Sequence, residues 1–241
     1  MLSSHELFHS DPVIEQVRLD DGASCYVVDH ALVEPERVRA WAIAQRSAFR
    51  PVDFSAYPGK YLMLPQELHA ALQSFYARLV RPRFDARRLM TFHGRLAMVT
   101  TPPAALRPPQ WLCHADHFLV PPEQSIQASV LYLFDDAALG GTSFYRPLRP
   151  PAEMKQLFDD SIRMSAEGFT QRYGLRAGYI HGDNDYFACT GSIPARWNRL
   201  IFYDGSMLHS SDIPSPERLS DDPARGRLTF NGFFTARRHA R

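Results

Sequence analysis

The sequence predicts a single domain that is mainly β-sheet with flanking helices, an α+β class. Its C-terminal half contains short apolar runs bounded by Gly, Pro and Asp residues, and such runs are typical of strands. Two apolar stripes with helical spacing precede residue 100 and indicate helices that support the sheet. A chain of 241 residues, of which 45% are hydrophobic, can form one large core without dividing into separate domains.

The first 100 residues are expected to supply helical support and the first strands. Glu34-Pro35-Glu36 combines acidic residues with a proline, which is typical of a helix start. A second helix is predicted over residues 65–80, because its apolar residues lie on one stripe. Residues 89–100 alternate as a strand does, and the proline-rich residues 101–110 are interpreted as a loop.

Residues 101–241 are expected to form the core of the domain, in a series of strands. A strand-like run at residues 128–134 is followed by Gly140-Gly141 and a second run at residues 142–145. A third apolar run at residues 200–203 ends in a turn, and the last strand is predicted over residues 226–234.

The tripeptide His114-Ala115-Asp116 carries the strongest chemical signal. In an extended strand, His114 and Asp116 would point to the same side and Ala115 to the other. One imidazole and one carboxylate on the same side form two arms of a metal chelate. His209, which follows the apolar run at residues 200–203, would complete a two-histidine, one-carboxylate site with open coordination positions. This donor set is typical of non-haem Fe(II) oxygenases.

The last strand indicates an anion-binding pocket. Alternation along it brings Arg227, Thr229 and Asn231 to one face, while the opposite face is apolar. A buried anion explains this polar row, because a guanidinium binds a carboxylate through two parallel, charge-assisted hydrogen bonds. Arg225 is the alternative anion ligand, but the strand register favours Arg227.

These motifs together resemble the 2-oxoglutarate/Fe(II)-dependent oxygenases, in particular their prolyl-hydroxylase-like branch. The resemblance extends from about residue 111 to the C-terminus, and residues 26–36 are similar to the strand-to-helix entry of that branch. It implies a double-stranded β-helix core of the jelly-roll, cupin-like kind. It also implies Fe(II) as the metal at His114, Asp116 and His209, with the distal carboxylate of 2-oxoglutarate at Arg227.

The resemblance further suggests Tyr132 as a hydrogen-bond donor to that carboxylate. Thr142, Thr229 and Asn231 are assigned to the same co-substrate pocket. For Tyr132 and Thr142, ordinary core packing is an equally good interpretation, because aromatic residues and Thr are common in strands.

The activity that the resemblance implies is hydroxylation of an unactivated C–H bond by O2, with release of succinate and CO2. Asp116 favours hydroxylation, because halogenating relatives lack this carboxylate. The substrate would be a small molecule or an amino-acid or peptide side chain. Two alternatives stay open: a catalytically silent sensor that binds metal or 2-oxoglutarate, and a cupin-like metalloenzyme of another reaction class.

Residues 147–196 are interpreted as an insertion with a helix over residues 151–173, and we expect it to cover the metal site and select the substrate. Within it, His181-Gly182-Asp183 repeats the His-x-Asp spacing but lies among turn-forming residues. It is therefore interpreted as a turn rather than as a second metal site. His117 is interpreted as a packing residue or as a neighbour of the metal ligands.

Composition excludes several other classes of protein. The net charge of +1 gives no reason to expect a nucleic-acid partner or an anionic membrane. No apolar run reaches membrane length, and residues 1–10 lack the segments of a signal peptide. Three scattered cysteines form no disulfide framework, so a cytoplasmic location is expected. Nothing in the sequence indicates an oligomeric state.

Overall fold

The computed structural model describes residues 7–51, 57–116 and 121–239. In these residues the chain is mainly β-sheet with a few helices, as predicted. The strands are β1 (Glu15–Arg18), β2 (Ser24–Val28), β3 (Arg50–Pro51), β4 (Gly59–Met63), β5 (Arg88–Val99), β6 (Gln124–Tyr132), β7 (Thr142–Pro147), β8 (Phe187–Ile193), β9 (Leu200–Asp204), β10 (Leu208–Ser211) and β11 (Arg227–Arg237). The α-helices are α1 (Pro35–Ala44), α2 (Gln66–Phe75), α3 (Pro151–Arg163) and α4 (Ala166–Tyr173).

The strands form two antiparallel sheets. The larger has the order β1-β2-β9-β6-β11-β5-β4-β3, and the smaller has the order β10-β7-β8. His114 adds a single antiparallel bridge to His209 of β10. The chain passes repeatedly between the two sheets. In the larger sheet, β11 lies between β5 and β6 and pairs with both, although it follows both in sequence.

One apolar core fills the space between the larger sheet and the helices. Leu68 and Leu72 of α2 are fully buried there against Phe230 and Phe234 of β11. The Phe234 ring stacks on Tyr76 at a centroid distance of 3.9 Å. The alternation predicted for the last strand is therefore correct, since its apolar face supports the helices.

A second core lies between the two sheets. Phe144 of the smaller sheet contacts Tyr203 of the larger one, with ring centroids 5.1 Å apart. A third apolar cluster joins α3 and α4 to Trp111, whose ring lies 5.8 Å from Phe169 of α4. The segment just before His114 is thus held by the two helices that follow β7.

The predicted helices and strands before residue 100 agree with the structure. Helix α1 begins at Pro35, and α2 continues beyond Phe75 through a π-helical turn at Tyr76–Val80. The strand predicted over residues 89–100 is β5. No helix in the described ranges is long and apolar enough to cross a membrane.

Residues 151–173, predicted as one helix, form the two helices α3 and α4. The break occurs because the backbone of Met164 is extended and Ser165 starts a new helix. The Ser165 hydroxyl accepts a hydrogen bond from the Gly168 N–H at 3.2 Å, which caps α4.

Two further expectations differ from the structure. His114-Ala115-Asp116 is not a continuous strand, because a 3-10 turn at Pro108–Trp111 precedes it and only His114 forms a β-bridge. The predicted insertion at residues 147–196 is too long, because β8 pairs with β7 as part of the smaller sheet. The segment outside the sheets is residues 148–186.

Candidate metal centre

Three side chains converge where the smaller sheet meets the loop after Cys113. His114 and His209 exchange backbone hydrogen bonds of 2.9 and 2.8 Å, and the Asp116 N–H donates to the Gly205 carbonyl at 2.7 Å. These bonds fix the backbone beneath each side chain. One potential ligand atom from each of His114, Asp116 and His209 then lies within 4.8 Å of the other two.

The hydrogen-bond geometry of His209 favours a cation at this point. Its Nδ1 lies 2.9 Å from the Met207 carbonyl oxygen, which can only accept, so we assign the ring hydrogen to Nδ1. Its Nε2 then presents a lone pair to Asp116 Oδ2, 3.5 Å away. That carboxylate oxygen is buried and has no hydrogen-bond partner among the described residues. Two facing acceptors repel each other unless a cation lies between them, so the donor set fits a divalent metal ion.

His114 also has the neutral form that metal ligation requires. About half of its side chain (51%) is accessible to solvent, and the residue lines the cavity. Burial in this wall and the neighbouring His209 lower the pKa of His114 to about 4. Its Nε2 lies 3.8 Å from Asp116 Oδ1.

A glycine permits the close approach of the loop that carries Asp116. A Cβ at Gly205 would lie 2.7 Å from Ile126 Cγ2 and 3.2 Å from Asp116 Cβ. Any larger residue would therefore press on the carboxylate side chain.

The three side chains open into a cavity of about 310 Å³ between the two sheets. One wall comes from β4, β5, β6 and β11, and the other from β7 and β10. Tyr179, from the segment at residues 148–186, also lines the cavity, and its hydroxyl donates to the Thr101 carbonyl at 2.6 Å.

Arg227 lies in the same cavity and is only 2% exposed. Its Nε donates to the Leu139 carbonyl at 3.0 Å, and its Nη2 donates to the Gly141 carbonyl at 2.6 Å. No carboxylate of the described residues forms an ion pair with it. Arg225, the alternative from the sequence, is exposed and lies outside this cavity. The register argument for Arg227 therefore matches its position.

The Gly140-Gly141 pair explains how these carbonyls reach the guanidinium. Gly140 has a φ of +69°, which favours glycine, and a Cβ there would lie 1.6 Å from the Asp212 carbonyl oxygen. A Cβ at Gly141 would lie 2.0 Å from the Ile193 carbonyl oxygen. The absence of side chains lets the start of β7 pack closely enough to hold Arg227.

The four residues assigned to the co-substrate pocket have different surroundings. Thr142, Thr229 and Asn231 line the cavity, whereas Tyr132 lies behind it, fully buried. The Tyr132 hydroxyl shares a hydrogen bond of 2.8 Å with Thr142 Oγ1, and burial raises the pKa of Tyr132 to about 12. Thr229 Oγ1 donates to the Ala97 carbonyl at 3.3 Å. Thr142 thus reaches the cavity and Tyr132 contacts it only through Thr142, while a co-substrate role for either residue stays a prediction.

The second His-x-Asp tripeptide does not assemble a comparable site. His181 Nδ1 lies 2.5 Å from Asp212 Oδ1, whereas Asp183 Oδ1 accepts from the Cys189 N–H at 2.7 Å. Gly182 between them has a φ of +68°, as the turn interpretation requires. His117 lies outside the described residues.

Sequence reasoning missed one charged residue of the cavity, Arg95 of β5. The sequence signal that could have identified it is the one that identified Arg227, a cation within an apolar strand. Arg95 is a cation inside a strand, and the residues that follow it, Leu96 to Val99, are all apolar.

A family model matches residues 10–234 of the sequence. The chain belongs to DUF6445, a family of unknown function. No curated protein matches this DUF6445 chain.

Solved structures with a similar fold include the following two proteins. One is the non-haem α-ketoglutarate-dependent carbocyclase SnoK from nogalamycin biosynthesis. The two sequences are 13% identical, the match covers 89% of the DUF6445 chain and 80% of SnoK, and the TM-score is 0.53. The other is HygX from Streptomyces hygroscopicus with nickel and 2-oxoglutarate bound, with 12% identity, coverage of 90% and 84%, and a TM-score of 0.51. At these identities the likeness establishes a shared fold.

Proposed function

We propose that this chain is an Fe(II)- and 2-oxoglutarate-dependent dioxygenase that hydroxylates an unactivated C–H bond of a small molecule or of an amino-acid or peptide side chain. The observation that carries the proposal is the convergence of His114, Asp116 and His209 in one cavity with the buried Arg227. Support comes from the fold shared with SnoK, an α-ketoglutarate-dependent carbocyclase, and with HygX, whose structure has 2-oxoglutarate bound.

The strand order supports a double-stranded β-helix core. Eight consecutive segments, from β5 through His114 to β11, are divided between two antiparallel layers. In the larger sheet these strands have the order β9-β6-β11-β5. In the smaller sheet the order is β8-β7-β10, and the bridge from His209 of β10 to His114 extends it by one segment. Such a closed arrangement of short strands is the jelly-roll kind of core, whose interior can enclose a ligand. Membership of the prolyl-hydroxylase-like branch stays a prediction.

In the proposed mechanism His114, Asp116 and His209 would hold Fe(II) and leave three coordination positions free. When bound, iron and 2-oxoglutarate supply the oxidation, in which O2 contributes one oxygen atom to the substrate C–H bond and one to succinate, with loss of CO2. The Met207 carbonyl keeps the His209 ring in the tautomer that offers Nε2.

Arg227 would bind the distal carboxylate of 2-oxoglutarate. The carbonyls of Leu139 and Gly141 fix the guanidinium in place but do not neutralise it, since carbonyl groups carry no net charge. A carboxylate that reaches the remaining N–H groups would therefore gain a charge-assisted hydrogen bond away from bulk water. Thr142 and Thr229 would line the same end of the cavity.

The segment at residues 148–186 would cover the cavity and select the substrate. Tyr179 supports this assignment because its ring is in the cavity wall and its hydroxyl is tethered to Thr101. The substrate class, a lack of nucleic-acid partners and a cytoplasmic location stay predictions.

The test is metal and 2-oxoglutarate binding followed by turnover. Calorimetry on Ni(II)-loaded protein should show 2-oxoglutarate binding that disappears without metal and in His209→Ala. Arg227→Met should retain the metal but bind 2-oxoglutarate roughly 10- to 100-fold more weakly, the range expected for a lost charge-assisted contact. His181→Ala, in the other His-x-Asp tripeptide, is the matched control and should behave as the unmodified protein does.

Turnover then separates the alternatives. With Fe(II), O2 consumption and succinate release that depend on 2-oxoglutarate support an oxygenase. Binding of 2-oxoglutarate without succinate release would instead indicate a sensor. Metal-dependent chemistry without any affinity for 2-oxoglutarate would indicate a cupin-like enzyme of another class.

A further inference from the structure

Arg95 occupies the same cavity as the candidate metal centre, and the proposed function leaves it without a role. Its guanidinium carbon lies 4.0 Å from the centroid of the Tyr61 ring and 4.6 Å from that of Phe233. Tyr61 pairs with Ala97 and Phe233 pairs with His93, so the two rings flank Arg95 along β5. The rings hold the guanidinium in place and cover its apolar surfaces.

The polar edge of this guanidinium has no partner among the described residues. Within the described ranges Arg95 forms no hydrogen bond and no ion pair, and its Nε is buried. Asn231, directly opposite on β11, has a buried Oδ1 that also lacks a partner in those ranges. A cation donor and an amide acceptor thus stand side by side in the cavity wall. Buried polar groups of this kind are normally paired, which points to a ligand that pairs them.

The charges of the cavity groups indicate that this ligand is an anion. Under the proposed function, Fe(II), Arg95 and Arg227 would bring four positive charges. Asp116, the one acidic residue among the described cavity residues, and the 2-oxoglutarate dianion would bring three negative charges. The histidine ligands are neutral, so one positive charge is left over.

Arg95 and Arg227 differ in their accessibility and in their existing bonds. Arg227 is only 2% exposed and donates to two carbonyls, which suits a co-substrate that binds before the substrate. Arg95 is partly exposed, and the described residues that hold its guanidinium are the rings of Tyr61 and Phe233. It therefore suits a molecule that enters afterwards.

We propose that Arg95 is the substrate-recognition residue of this cavity, and that the substrate carries a carboxylate next to an apolar body. The carboxylate binds the free edge of the guanidinium. Tyr61 and Phe233 contact the apolar body, and Asn231 Oδ1 accepts from an N–H or O–H group near the carboxylate. This inference rests on the proposed function and narrows its substrate class to small organic acids, among which amino acids satisfy both polar groups.

The experiment compares acids with their uncharged amides on protein loaded with Ni(II) and 2-oxoglutarate, in which no turnover occurs. The probes are L-phenylalanine against L-phenylalaninamide, and 3-phenylpropionate against 3-phenylpropanamide. Calorimetry should show each acid binding at least about tenfold more tightly than its amide, as expected for a charge-assisted pair. Arg95→Gln should remove this preference, and Arg95→Lys should retain part of it.

Arg225→Gln is the matched control, because this exposed arginine lies outside the cavity, and it should keep the full preference. Equal binding of acid and amide, no binding of either acid, or a preference that survives in Arg95→Gln would overturn the inference. A melting temperature for each variant excludes unfolding as the cause.

The 2-oxoglutarate affinity, measured on the same samples, separates this inference from the proposed function. Suppose that the unmodified protein and Arg95→Gln bind 2-oxoglutarate equally, and that the unmodified protein does not prefer acids to amides. This result refutes only the role of Arg95. A loss of 2-oxoglutarate binding in Arg95→Gln would make Arg95 the co-substrate anchor and overturn the inference. If the unmodified protein does not bind 2-oxoglutarate, the proposed function fails, while acid–amide preference in metal-loaded protein still reports on Arg95.

Discussion

Asp116 illustrates how a single buried side chain without a partner can lower the stability of a fold. Its Oδ2 is buried opposite the lone pair of His209 Nε2, and no hydrogen bond from the described residues compensates it. A buried acceptor without a partner typically costs about 1–3 kcal/mol. A bound cation would remove that cost and add its own binding free energy to the stability of the fold.

Asp116→Asn should therefore have opposite effects with and without metal. The amide can donate to His209 Nε2, so the metal-free variant should be more stable than the unmodified protein by about 1 kcal/mol. Adding Ni(II) or Fe(II) should raise the melting temperature of the unmodified protein but not that of the variant. Thermal unfolding with and without metal measures both effects.

Asp185→Asn, at an exposed position, is the control for the change of charge. Its response to metal should equal that of the unmodified protein. An Asp116→Asn protein that metal stabilises as strongly as it stabilises the unmodified protein would exclude Asp116 as a ligand.

At the scale of elements, an ion pair holds the start of β9 to the end of β2. The Nε and Nη2 atoms of Arg199 donate to the two carboxylate oxygens of Asp29 at 2.6 and 2.8 Å. Arg199 is almost fully buried and also donates to the Pro194 carbonyl at 3.1 Å. The hydrogen bonds from Arg199 are the main reason that the pKa of Asp29 lies below its ordinary value.

This shift predicts an acid-dependent contribution to stability. Because the folded pKa of Asp29 is below the unfolded one, the contribution is complete above the unfolded pKa of about 3.9 and is lost as the pH falls through the folded pKa. Asp29→Asn should therefore lower the free energy of unfolding at neutral pH, and the difference from the unmodified protein should shrink below about pH 4. Urea unfolding at a series of pH values measures this difference.

Asp11→Asn is a suitable comparison, since Asp11 is exposed and no ion pair of the described residues includes it. It should leave the pH profile of stability unchanged. A difference between Asp29→Asn and the unmodified protein that stays constant down to pH 2 would contradict the assignment.

Across the whole molecule, the larger sheet is shared by two cores. Its helix-facing side packs on α1 and α2, and its other side forms the cavity and the packing against the smaller sheet. Phe234 stacks on Tyr76 and Phe92, with centroid distances of 3.9 and 4.7 Å. Loss of this ring affects β11 and therefore both sides of the sheet.

Phe234→Ala should lower the free energy of unfolding by about 3–5 kcal/mol, the range for a buried phenylalanine. Circular dichroism and aromatic fluorescence should still report one coincident transition, because the two cores share β11. Phe84→Ala, at a half-buried ring, should cost less. Two separate transitions in the Phe234 variant would show that the cores unfold independently.

The coarse fold and the orientation of neighbouring site residues could be predicted because both depend on local patterns. The convergence of His209 and Arg227 with His114 and Asp116 is not local, and it was expected from the family resemblance. Alternation alone oriented Arg227, Thr229 and Asn231, and the spacing of His114 and Asp116 identified a possible chelate. The roles of these residues stay predictions until metal and 2-oxoglutarate binding are measured.

Other features depend on tertiary neighbours and could not be predicted in the same way. The break between α3 and α4 depends on an extended Met164 rather than on helix propensity. The surroundings of Arg95 depend on the pairing of β5 with β11, which brings Asn231 and Phe233 beside it from a distant part of the sequence. The burial of Tyr132 behind Thr142 likewise requires knowing where β7 lies.

The central position of β11 also has a consequence for biosynthesis. A ribosome releases β5 and β6 well before the strand that joins them, so both must wait with unpaired edges. Arg227 and Asn231 arrive on that same late strand. The nascent protein can therefore acquire its complete binding cavity only after residues 227–237 have left the exit tunnel.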